Sequence, residues 1–135
     1  MKFIIKPALL LVFVSTGAIA NALPPLETND RVHSEFLAAA IGDKIRKNCG
    51  SISPRIFRVL RKMNALEDYA HSLGYTDADI ENMRKNPDAK AKLNAERDAY
   101  LAQNGVEMGN EESYCRLGRQ EIEKNSLTGW LLREN

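Results

Sequence analysis

The sequence predicts an all-α fold, a small bundle of four to five helices with one disulfide tying the end of the first helix to the last. Three observations predict it. Apolar residues recur at spacings of three and four through most of the chain, with no strand-like alternation. Caps, prolines and glycines fall at the ends of those periodic stretches, where helices start and stop. Two cysteines, Cys49 and Cys115, stand at the end of the first stretch and the opening of the last.

The N-terminus reads as an export signal. Lys2 and Lys6 form a basic start, residues 8–14 an apolar run, and Ser15-Thr-Gly17 a break. Ala20 and Ala22 then supply the small residues of a cleavage site. Cleavage after Ala22 makes residues 1–22 a removable signal peptide and 23–135 a single helical domain in the periplasm. The run is short for a bilayer span, which needs about 20 apolar residues. Removing Lys2 and Lys6 from the 19 basic residues leaves one fewer than the 18 acidic ones. A near-neutral domain gives no electrostatic footprint for nucleic acid.

The elements follow in order. Leu23-Pro-Pro-Leu26 is an extended lead-in, because consecutive prolines disfavour helix. Thr28 or Asn29 caps a first helix over residues 30–47, with Val32, Phe36, Leu37, Ala40, Ile41 and Ile45 on its apolar face. Gly50 stops it. Ser53-Pro54 reads as a cap and first-turn proline of a second helix, whose stripe is Ile56, Val59, Leu60, Met63, Leu66, Ala70 and Leu73. Thr76 and Asp79 resemble a capping box opening a short third helix through Arg84. Asn86-Pro87 starts a fourth, with Ala89, Leu93, Tyr100 and Leu101 on one face and alanines 91, 95, 99 and 102 suited to close approach. A fifth runs over residues 111–124, its Gly118 one turn from Cys115 and consistent with a tight contact beside the disulfide. Leu127, Trp130, Leu131 and Leu132 form an apolar tail.

In an oxidising compartment two cysteines most simply form one disulfide. Zinc would need further ligands, and only His33 and His71 are available; neither belongs to a His pair one turn apart. Asp77 and Asp79 lack the glycine and closing glutamate of a calcium loop. No metal and no cofactor is expected.

Gly74-Tyr-Thr-Asp77, Tyr114-Cys-x-Leu-Gly118, Glu121-Ile122 and Gly129-x-Leu-Leu-Arg133 resemble a family of small secreted alphaproteobacterial proteins, a domain of unknown function. The resemblance implies export and a helical fold, and carries over no catalytic residue.

Charge is unevenly spread. Residues 43–62 hold seven cations and one acid, and residues 63–81 hold five acids and no Lys or Arg. Arg55, Arg58, Arg61 and Lys62 are the candidate partner-binding cations, able to meet an acidic protein surface or anionic head groups. Trp130 is the candidate apolar anchor, although such tails more often fold back onto the core. Serine-hydrolase, zinc-protease and phosphate-loop motifs are absent. Glu67-Asp68 and Glu111-Glu112 are sequence neighbours that fan out around a helix. The expected function is therefore non-catalytic binding, as an adaptor or accessory subunit on the periplasmic side of a membrane protein complex. The alternative is a bundle that binds a small ligand or a metal.

Overall fold

The computed structural model describes residues 21–135, so the expected signal segment lies outside the described residues except for Asn21 and Ala22. A 3-10 turn, Leu26–Thr28, leads into α1 (Asp30–Asn48). There follow β1 (Ile52–Pro54), α2 (Ile56–Ser72), α3 (Asp77–Lys85), α4 (Pro87–Gln103), α5 (Glu111–Lys124), α6 (Leu127–Trp130) and β2 (Leu132–Glu134). The architecture is mostly helical, with six α-helices and one two-stranded ribbon among the described residues.

Capping chemistry explains most of the boundaries. The Asn29 side chain accepts from the backbone N–H groups of Arg31 and Val32, satisfying donors that α1 itself cannot reach. Thr76 and Asp79 form the reciprocal capping box of α3. Asn86 accepts from Asp88 and Ala89 ahead of Pro87 in the first turn of α4. Ser126 accepts from the Gly129 amide and starts α6 immediately after Asn125, whose φ of 49° ends α5 in the left-handed region.

Helix α1 is the axle, packing against α4, α5 and α6. Its lower half contributes Ile41 and Ile45 to a closed core with Ile52, Leu101, Tyr114, Leu117 and Leu132. Cys49 and Cys115 form the expected disulfide inside this core. Gly118 packs there: a Cβ on it would lie 2.2 Å from Ile52 Cδ1 and 2.9 Å from Ile45 Cγ2. A second, smaller cluster surrounds the start of α1, where Leu26, Val32, Ala70, Tyr75 and Ile80 are buried. The lead-in is tied to it by the Tyr75 hydroxyl, which donates to the Pro24 carbonyl at 2.7 Å.

Four expectations are corrected. The fold is not purely α: Ile52, Ser53 and Pro54 pair antiparallel with Glu134, Arg133 and Leu132. Strands this short show no alternation, and each one's partner lies about eighty positions away in the chain. Ser53 and Pro54 therefore do not start α2, which begins after Arg55 without a side-chain cap. Cys115 lies in the fifth helix but not the last, because the apolar tail itself coils into α6. The alanines at 91, 95, 99 and 102 all face solvent, since α4 turns its Leu93, Tyr100 and Leu101 side inward.

Candidate functional site

Helix α2 is amphipathic, but the rest of the chain covers only part of its apolar stripe. Val59 and Leu66 are half-buried and Ala70 is buried, whereas Ile56, Leu60 and Met63 remain 55%, 51% and 47% exposed. Phe57, beside them, is 83% exposed. At helical spacing these four side chains form one apolar surface on the first half of α2. Isolated exposed apolar residues are ordinary; a contiguous set on one helix face is less so. Phe57 was missed from sequence because it falls beside the regular stripe. Ile56, Leu60 and Met63 were recognised as apolar, but periodicity cannot tell which part of a wide stripe meets the core.

The four candidate cations do not act alike. Arg55 donates from Nε to the Leu132 carbonyl at 2.9 Å, and its amide donates to the Leu131 carbonyl at 2.7 Å. Arg58 donates to the Trp130 carbonyl at 3.0 Å, and its guanidinium lies 4.9 Å from the centre of the Trp130 ring. Lys62 pairs with the buried carboxylate of Glu35 at 2.9 Å and lies 5.2 Å from the same ring. Arg61 is exposed, with no ion-pair partner among the described residues. Three of the four cations thus fasten α2 to the C-terminal tail and to α1. Trp130, the last residue of α6, is half-buried against that basic face, and Leu131 and Leu132 are buried. On α1, Arg46 and Lys47 pair with Asp43 at 2.5 and 2.6 Å. Burial alone would raise the Asp43 carboxyl, but hydrogen bonds and charge from Lys47 and Arg46 hold it below the usual carboxylate range.

Other titratable groups are paired locally. Buried Glu121 accepts hydrogen bonds from the Tyr100 and Ser126 hydroxyls. Burial, followed by the hydrogen bond and charge of Glu121, pushes the Tyr100 phenol up to about 12. His33 meets Glu96 at 2.5 Å, bridging α1 and α4. His71 meets Asp77 at 2.8 Å, and Glu67 lies one turn before His71. These last three offer ligand atoms within 4.8 Å of one another, all on exposed side chains. The His71–Asp77 hydrogen bond accounts for their proximity.

Two cavities adjoin across α1. One of about 160 Å³ lies under α2, and one of about 280 Å³ opens between α1, α3 and α4. Val32, Phe36, Met83 and Arg84 line both.

The model of a family of unknown function (DUF5333) matches residues 24–133. The chain belongs to that family. The DUF5333 match runs from the lead-in to β2, so the disulfide, the ribbon and the exposed face of α2 all lie inside the family's unit. No curated protein and no solved structure matched the chain.

Proposed function

We propose that this DUF5333 chain is an exported, non-catalytic binding protein, an accessory subunit docking on the periplasmic side of a membrane protein complex. The basic, apolar and small-residue pattern of residues 1–22 supports export, and with it the secreted character implied by the family resemblance. One observation carries the docking reading: Ile56, Phe57, Leu60 and Met63 form an exposed apolar surface on a helix otherwise fixed by specific side-chain contacts. The partner is a protein whose apolar groove is rimmed with acidic side chains. Arg61, without an ion-pair partner among the described residues, is the cation at the edge of the patch, and Arg55 and Arg58 lie near it on the same half of α2. A charged rim around an apolar centre is the ordinary anatomy of a protein interface. Trp130 contributes indirectly, by holding α2 in place through Arg58 and Lys62.

Site-specific photo-cross-linking tests the reading in intact cells. A photoreactive residue replacing Phe57 should give one defined adduct with a membrane protein, and Leu60→Glu should abolish it. A photoreactive residue replacing Ala102, which is exposed on α4, should give none. Equal labelling from both positions, or an adduct that survives Leu60→Glu, overturns the docking face. Mass analysis of the purified protein should find Leu23 as the first residue; retention of residues 1–22 overturns the export reading.

A further inference from the structure

Beneath α2 and along the flank of α1 that faces α3 and α4, the fold leaves unfilled space against its own axle. Phe36 and Val32 on α1 stand between the two adjoining cavities, with Met83 of α3 opposite both. The larger cavity continues to Ala89 and Leu93 on α4. From Val32 to Ala39 the combined trough follows α1 for about 10 Å, at the helical rise of 1.5 Å per residue. The larger cavity has an apolar floor of Val32, Phe36, Met83, Ala89 and Leu93, whereas the smaller one also carries the buried Glu35–Lys62 pair and Glu67 in its wall.

The charges around the larger cavity have one dominant sign. Arg84, Lys90 and Lys92 line the larger cavity with His33 and Glu27. Glu27 is engaged by the Asn86 amide at 3.0 Å, and Glu96 is shared by His33 and Lys92. Glu81, one turn before Lys85, is paired with Lys85 at 2.9 Å. Arg84 and Lys90 have no ion-pair partner among the described residues. The arrangement is a narrow apolar slot with two free cations at its entrance. Together the two cavities enter the range of about 300–1,000 Å³ typical of small-molecule sites.

We propose that this trough binds the single acyl chain of a long-chain carboxylate. The chain lies across Phe36 between Met83 and Leu93, and Arg84 and Lys90 hold the carboxylate. The trough shares only Met63 with the docking surface of α2, and its head-group cations Arg84 and Lys90 lie on α3 and α4, so the charge-reversal test below does not depend on the docking reading.

Titration of the purified protein with a dansyl-labelled undecanoic acid tests it, with the methyl ester of the same probe as control. The acid should bind saturably, and the ester at least tenfold more weakly. Displacement by unlabelled saturated acids should strengthen about fourfold per added methylene until the trough is full, the increment expected for burying one CH₂. Arg84→Glu combined with Lys90→Glu changes two exposed side chains and should weaken the acid tenfold or more while leaving the ester and the unfolding curve unchanged. Ala89→Phe, which projects into the slot, should shorten the longest chain accommodated. Failure of the acid to saturate, equal binding of acid and ester, or unchanged binding by the charge-reversed protein each overturns the proposal.

Discussion

Gly129 and Gly118 show how differently two small residues constrain one fold. A Cβ on Gly129 would lie 1.8 Å from the backbone oxygen of Glu121, so α6 touches α5 through main chain. The obstacles at Gly118 are the ends of Ile52 and Ile45, which can shift slightly. Gly118→Ala should therefore cost about 1–3 kcal/mol, the usual range for overpacking. Gly129→Ala should cost more, because backbone must move; urea unfolding of the two variants gives the order directly. Gly118 was legible in sequence from its place one turn after Cys115. Gly129 was legible only as part of a motif, because its neighbour is set by the Asn125–Ser126 turn between α5 and α6. Tyr100 supplies the residue-scale pH dependence. Its folded pKa, about 12, lies above the unfolded value near 10. Its contribution is therefore fully present below about pH 10 and is lost as pH rises through about 12. Unfolding free energies measured between pH 9 and 12 should fall for the wild type, and Tyr100→Phe should flatten that decline.

At the scale of elements, α2 and α4 are the least embedded of the long helices, each burying a single residue. In α2 only Ala70 is buried, whereas α1 and α5 each bury six. Backbone protection follows burial and local packing, so amide hydrogen exchange in α2 should be faster than in α1 and α5. Its attachment at the N-terminal half runs through Arg55, Arg58 and Lys62, and the last two converge on Trp130. Trp130→Ala removes the ring from both cations, and should raise exchange in residues 56–66 more than in α5. Equal acceleration in both helices would show that Trp130 supports the whole core rather than the α2 attachment. The helix boundaries were largely readable in advance, because capping is local: Asn29, Thr76–Asp79 and Asn86–Pro87 act within four residues of themselves. The ribbon was not, because nothing in residues 52–54 identifies a partner about eighty positions away. The outer face of α2 was hidden for a related reason. The basic cluster was visible as charge, but its chief occupants, Trp130 and Glu35, come from opposite ends of the domain.

Taken whole, the molecule is a closed base with an excursion. The disulfide joins Cys49 to Cys115, and within five residues of Cys49 the ribbon joins β1 to β2. The Gly50 amide donates to Glu111, and Asn135 donates to the carbonyls of Gly50 and Ser51, so the C-terminal end is fastened to the turn after α1. Helices α2, α3 and α4 leave from this knot and return to it through α5. The two fastenings work on different states. The disulfide restrains the unfolded chain, and for a separation of 66 residues the entropic estimate is about 4 kcal/mol. The ribbon acts in the folded state, where Leu132 is 2% exposed; truncating a buried Leu to Ala costs about 2–5 kcal/mol. Neither loss alone exceeds the roughly 5–15 kcal/mol by which a domain is stable. Cys49→Ser with Cys115→Ser should therefore remain folded with a lower urea midpoint, as should Leu132→Ala. Combined, the losses reach the lower part of that range, and the triple variant should show no cooperative transition by circular dichroism at 25 °C. A cooperative triple variant would mean that the trough and α4 hold the base together without the knot.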